Sequence, residues 1–161
     1  MRRVRCGPDD LLFSPEPNPP VRIVSIMETS TVPYALAVDD EAIIRMDATQ
    51  ILEEAGFRCL DAESGDAAIE VLSEKWEQVV LLFTDVEMPG ATDGFALARH
   101  VAEHWPHIEI VVSSGRLTPA DGDLPPRAAF ISKPFSADIV HSELRRLLPD
   151  GKKPEPLATA V

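Results

Sequence analysis

From Tyr34 to Leu148 the chain alternates between short apolar runs and longer amphipathic segments, and no other feature constrains its fold as strongly. The runs are Tyr34–Val38, Val79–Phe83, Ile108–Val112 and Ala128–Ile131, with a weaker one at Phe57–Leu60. Continuous apolar stretches of this length suit strands covered on both faces, as in a parallel sheet. Between and after them, apolar residues recur at helical spacing. Ile44, Ala48, Ile51, Leu52 and Ala55 form one stripe, which Gly56 ends. Ala68, Leu72 and Trp76 form a second, introduced by Ser64 as an N-cap. Phe95, Ala98, Val101, Ala102 and Trp105 form a third, closed by Pro106. Val140, Leu144, Leu147 and Leu148 form the last. The pattern predicts a (βα)₅ chain folded as a doubly wound α/β sheet, because right-handed crossovers place helices on both faces.

One connection breaks the rhythm. Between Val112 and Ala128 the chain carries Gly115, Pro119, Gly122, Pro125 and Pro126. Thr118 could cap a single turn with Pro119 at its first position, so the fourth helix should be very short or missing. Outside the periodic region, residues 1–33 hold six prolines and no period, and residues 149–161 are polar and proline-bearing. Both are expected to be disordered, leaving 34–148 as the single folded domain.

The charge is confined to that domain. It holds 21 acidic against 9 basic residues, which accounts for the whole formal charge of −12. Such a surface repels nucleic acid and anionic lipid, so neither is an expected partner. Arg2, Arg3 and Arg5 precede no apolar run, so the N-terminus does not read as a secretory signal. Cys6 and Cys59 are the only cysteines. One lies in the leader and one in a strand, which predicts free thiols and a reduced, cytoplasmic setting.

Ligands of open parallel sheets bind beyond the carboxyl ends of the strands. Asp39-Asp40-Glu41 follows the first strand and Asp85 the third. Ser113-Ser114-Gly115 follows the fourth and Lys133-Pro134-Phe135 the fifth. Asp39-Asp40-Glu41 also suits the N-terminus of a helix, where acids favour the dipole, and both roles are compatible. Three carboxylates brought to one edge call for a hard divalent cation, which points to Mg²⁺. Asp85 can then serve as a nucleophile, with Lys133 as a point charge and Ser114 as a hydroxyl donor to a transferred phosphoryl group. Alternation and the following Gly115 favour Ser114 over Ser113 for that role.

Ala37-Val38-Asp39-Asp40-Glu41, Asp85 with Met88-Pro89-Gly90 and Asp93-Gly94, Ser114-Gly115, and Lys133-Pro134-Phe135 together resemble the receiver domain of bacterial two-component response regulators, of the single-domain type. The resemblance covers about residues 34–148. It implies a flavodoxin-like sheet of strand order 2-1-3-4-5. It implies Mg²⁺ bound by Asp40 and Asp85 through their side chains and by Glu87 through its carbonyl, with Asp39 acting through water. Asp85 would take its phosphoryl group from a phosphohistidine on a histidine kinase or histidine phosphotransfer protein. Ser114 would be the switch hydroxyl and Phe130 the aromatic that turns with it, and the Lys133–Pro134 bond is expected to be cis. The chain is then a signalling switch that catalyses its own phosphorylation and dephosphorylation rather than an enzyme acting on outside substrates, and its output passes by contact to a downstream protein or onward through a phosphorelay. The loop Gly90–Gly94 is one residue longer than the family's usual form. Glu87 and Arg116 stand two after Asp85 and Ser114, and are expected to pair across the path of hydrolytic water and slow loss of the phosphoryl group.

Two other functions compete. Asp85-Val86-Glu87 faintly resembles the Asp-x-Asp motif of haloacid-dehalogenase-like phosphatases, which would make the chain a small aspartyl-phosphate hydrolase. That motif, however, belongs after a first strand. A degenerate receiver used only for docking is the other, and the intact acidic, hydroxyl and lysine set argues against it. His100, His104 and His107 invite a metal reading, but they fall on a polar helix face away from the carboxylates.

Overall fold

The computed structural model describes residues 32–159. The leader reading of residues 1–33 therefore lies almost wholly outside the described residues. From Pro33 onward the chain forms one compact unit. Its elements are β1 (Tyr34–Val38), α1 (Ala42–Glu54), β2 (Arg58–Ala62), α2 (Gly65–Lys75), β3 (Val79–Asp85), α3 (Gly94–His104), β4 (Glu109–Ser114), β5 (Ala129–Ser132) and α4 (Ala137–Leu147). All strands pair in parallel in the order β2-β1-β3-β4-β5, the flavodoxin-like arrangement.

Helices α2, α3 and α4 start where a short polar side chain can take up a free amide. Ser64 accepts from Ala67 N at 3.1 Å, Asp93 from Ala96 N at 2.8 Å and Ser136 from Ile139 N at 3.3 Å; such caps are worth about 1 kcal/mol each. At α1 the cap residue Glu41 makes no such bond, and Asp39 Oδ1 instead accepts from Glu41 N at 2.9 Å. The helical stripes then divide between the two faces. Ala48, Ile51 and Leu52 of α1 join Val140 and Leu144 of α4 on one side. Ala68 and Leu72 of α2 join Leu97, Ala98 and Val101 of α3 on the other. β3 and β4 are buried almost throughout, whereas β2 is an edge strand with exposed positions, which explains its weaker apolar run. Trp76 departs from its stripe: it follows α2, is partly exposed and packs edge-on against His107.

Two strands run further than their apolar cores. Asp85 is the last residue of β3 and Ser114 the last of β4, because the ladders Asp85↔Ser113 and Ser114↔Ser132 carry on past the apolar residues. Between β4 and β5 no helix forms among residues 115–128. The turn at Thr118 and Pro119 is not made; the chain turns at 121–123 instead, with Asp123 Oδ2 accepting from Ala120 N at 2.8 Å. Arg99 of α3 donates to Asp123 O at 3.1 Å and holds this connection to the body.

The tail corrects the sequence reading. Residues expected to be disordered form a 3₁₀ turn, Asp150–Lys152, and a short helix α5, Glu155–Thr159. Two features hold them. Gly56, at φ +107°, has no side chain, and Pro154 and Pro156 fill the space a Cβ would occupy, at 2.7 Å each. Lys152 Nζ donates to Glu109 Oε2 at 2.9 Å and also to His107 O. Glu109 is buried and takes a second cation, Arg127, at 2.9 Å. Leu157 is then sealed into the α1–α4 core at 2% exposure. Composition missed this because one leucine in the core, complementarity to one glycine and a bond to one buried carboxylate carry the contact, with no apolar run to announce it.

Candidate functional site

The sheet order sets β1 and β3 side by side, which brings Asp39, Asp40 and Asp85 to one edge. A carboxylate oxygen from each lies within 4.8 Å of the others. Asp39 and Asp85 are 4% and 6% exposed, while Asp40 is open to solvent. Lys133, directly after β5, donates from Nζ to Asp85 Oδ1 at 2.9 Å and to Asp39 Oδ2 at 3.1 Å. A single ammonium thus faces three carboxylates, and the remaining negative charge is what a divalent cation would neutralise. The oxygen-only donor set and its open side fit Mg²⁺.

Burial pushes the Asp85 carboxyl above its ordinary range, against the hydrogen bond and charge of Lys133, which pull it down; Asp39 adds to the rise. For Lys133 burial works to lower the pKa, but Asp85 and Asp39 outweigh it and the net direction is upward.

Backbone packing places Asp85 closely. A Cβ at Gly94 would sit 2.0 Å from Asp85 O, so only glycine lets α3 begin against this strand end. Gly94 N donates to Val86 O at 2.9 Å, which fastens the junction. The lengthened loop before it is tied to α2 by Thr92 Oγ1, which donates to Asp66 Oδ1 at 2.8 Å. The Lys133–Pro134 peptide is cis.

Ser114 and Ser113 separate cleanly. Ser114 Oγ accepts from Arg116 N at 3.2 Å and Leu117 N at 2.9 Å, and donates to Glu87 Oε1 at 3.4 Å. Ser113 is fully buried, and its Oγ has no hydrogen-bond partner. Arg116 Nε donates to Glu87 Oε2 at 3.0 Å, so Glu87, Arg116 and Ser114 form one chain of contacts. Phe130 pairs with Val112, two residues before Ser114, and therefore shares the sheet face of Ser114; it is half-buried against the α2–α3 core. The cleft above Asp85, about 480 Å³, is lined by Asp40, Glu41, Ile44, Glu87, Gly115, Arg116 and Lys133 as well.

The histidines stand apart from this edge. His100 and His104 stack on the surface of α3 with ring centroids 4.0 Å apart, and His107 Nε2 lies 2.9 Å from Trp76 O. Cys59 lies on β2, and burial, with the charges of Glu53 and Asp61, pushes its thiol up to about 12. Sequence reasoning passed over Arg45, whose Nη1 donates to Asp39 O at 2.7 Å and whose Nε donates to Asp61 Oδ2 at 2.8 Å. Its only sequence signal is a basic residue one helical turn after the acidic pair.

Comparison with known proteins gives a consistent result. A family model described as the response regulator receiver domain matches residues 35–145. The response regulator receiver protein CpdR of Brucella abortus (strain 2308) is 34% identical over 116 residues, covering 70% of this chain and 94% of that protein. The sensor kinase CckA of the same organism is 31% identical over 120 residues, covering 70% of this chain but only 12% of the kinase. Among solved structures, a response regulator receiver protein from Sinorhizobium medicae WSM419 matches with a TM-score of 0.64 at 29% identity, over 72% of this chain and 94% of that one.

Proposed function

This chain belongs to the response regulator receiver family, and from that membership we propose that it acts as a receiver whose Asp85 accepts a phosphoryl group from a phosphohistidine. The observation that carries the reading is the placement of Lys133 Nζ between Asp85 and Asp39, with Asp40 completing the acidic cluster. Asp40 and Asp85 through their carboxylates, and Glu87 through its carbonyl, would hold Mg²⁺, with Asp39 acting through water. The bound cation would offset the negative charge that nucleophile and phosphoryl oxygens bring together.

The chain's own residues supply the rest. An Asp85 carboxylate oxygen attacks phosphorus, the P–N bond breaks, and the electron pair stays with the donor imidazole, leaving an acyl phosphate on Asp85. Lys133, already a hydrogen-bond donor to Asp85, offers its ammonium to a phosphoryl oxygen. Ser114 Oγ gives up Glu87 Oε1 and turns to the phosphoryl group, and Phe130 follows on the same sheet face. The donor is a histidine kinase or histidine phosphotransfer protein, and output passes by contact with a downstream protein. A cytoplasmic location fits this reading. Among the described residues no helix is long and apolar enough to cross a membrane.

Incubation with acetyl phosphate and Mg²⁺, followed by intact-mass measurement, tests the proposal. A gain of one phosphate per chain is expected, lost in Asp85→Asn and on chelation of the metal. No gain in the folded protein would leave the docking reading instead. Catalytic turnover of a small phosphate ester would point to the hydrolase.

A further inference from the structure

We infer that Arg45 is a positioning residue for Asp40, acting through the peptide group that joins Asp39 to Asp40; the inference rests on the proposed Mg²⁺ role of Asp40. Asp40 is exposed, lies beyond the end of β1, and its carboxylate has no hydrogen bond among the described residues. Its direction is therefore set by the backbone that carries it. The relevant plane is that of the Asp39 carbonyl, whose carbon is bonded to Asp40 N.

That carbonyl is held by Arg45 Nη1 at 2.7 Å. The other groups of Asp39 are committed elsewhere. Its N–H donates to Ala62 O at 3.2 Å, Oδ1 accepts from Glu41 N at 2.9 Å, and Oδ2 accepts from Lys133 Nζ at 3.1 Å. Without Arg45 the carbonyl would be the one polar group of Asp39 left without a protein partner. The 39–40 peptide could then tilt, and Asp40 would tilt with it.

Arg45 is itself braced. Its Nε donates to Asp61 Oδ2 at 2.8 Å, and its side chain is only 18% exposed against 55% for Asp61. The guanidinium donates in two fixed directions within one plane, one toward Asp61 on β2 and one toward the Asp39 carbonyl. A lysine ammonium has no such fixed pair of donors. The result is a relay from Asp61 through Arg45 to the Asp39 carbonyl, which orients the exposed ligand of a metal site. Partners outside the ligand shell commonly change metal affinity by about 10–100-fold when removed.

The test is direct Mg²⁺ binding by calorimetry and by the amide shift of Asp40 in NMR, on wild type, Arg45→Met, Arg45→Lys and Asp61→Ala. The two Arg45 variants should weaken Mg²⁺ by about 10-fold and Asp61→Ala by about 3-fold. A purely structural tie would lower Tm and leave Mg²⁺ affinity alone, so a folded Arg45→Lys or Arg45→Met with wild-type affinity overturns the inference. Should Arg45→Met fail to fold, Arg45→Lys and Asp61→Ala carry the same comparison. Absence of Mg²⁺ binding by the wild type would instead overturn the proposed function, whatever the variants do.

Discussion

Arg116 reaches across the cleft mouth to Glu87, with Nε 3.0 Å from Oε2, while Ser114 Oγ holds the other carboxylate oxygen at 3.4 Å. One carboxylate thus engages both the residue that would shield the acyl phosphate and the hydroxyl that would report on it.

That arrangement predicts a slower loss of the phosphoryl group than an open site would show. Arg116→Ala and Glu87→Ala should each speed dephosphorylation by about 2- to 5-fold, the range expected from breaking an exposed ion pair. Decay of the phosphorylated protein after removal of acetyl phosphate measures it. Unchanged decay in both variants would sink the shielding role.

Lys133 neutralises two nearly buried carboxylates. Lys133→Met should therefore destabilise the metal-free protein by about 3 kcal/mol at neutral pH, since Asp39 and Asp85 lose their cation. Adding Mg²⁺ should raise the Tm of this variant more than that of wild type. Labelling should fall by about 100-fold or more, because a preorganised charge on the phosphoryl group is gone. Equal Mg²⁺ effects on both proteins would contradict the charge argument.

Asp85 makes stability depend on pH in a defined direction. Burial raises its folded pKa above the ordinary 3.8. The native state then binds the proton more tightly than the unfolded chain, so stability falls as pH rises from about 3.8 through the raised value. Above that window the loss is complete and constant. Asp85→Asn, which cannot ionise, should gain on wild type across this range in metal-free denaturation. A gap no larger at pH 7 than at pH 3.5 would show that burial of the charge costs nothing. Lys133 has the opposite window: its folded pKa lies above the ordinary 10.5, so its contribution is whole below 10.5 and lost as pH rises through the folded value.

The tail should behave as part of the domain. Leu157 is 2% exposed in the α1–α4 core, and Leu157→Ala should cost about 2–3 kcal/mol in chemical denaturation. Gly56→Ala should weaken the same contact, since its Cβ would meet Pro154 and Pro156 at 2.7 Å. A loss under about 0.5 kcal/mol for Leu157→Ala would mean that the tail does not stay docked.

Much of this was legible in the residues. The helical stripes of α1 to α4 and the runs of β1, β3, β4 and β5 follow from burial on two faces, which leaves a strong period or an unbroken apolar run. The missing fourth helix was legible because Pro125, Pro126 and Gly122 leave no room for backbone hydrogen bonding. The acidic cluster could be placed once strand order was assumed, since each member stands at a strand end. Arg45 was not legible: its partners are a backbone carbonyl six residues earlier and a side chain on the neighbouring strand. The same holds for Lys152 and Glu109, separated by 43 residues.

By itself, then, the sequence determined the class of fold, the four strand ends at which the acidic, hydroxyl and lysine side chains stand, and the residue types found there. These depend on local period and turn chemistry, which neighbouring residues encode. Only the tertiary structure decided which oxygen faces which donor: Lys133 between Asp85 and Asp39, Ser114 rather than Ser113 in hydrogen-bond contact with Glu87, and Arg45 on the Asp39 carbonyl. The physical reason is that hydrogen bonds and ion pairs act over about 3 Å, a distance set by strand register and helix packing between residues far apart in the chain.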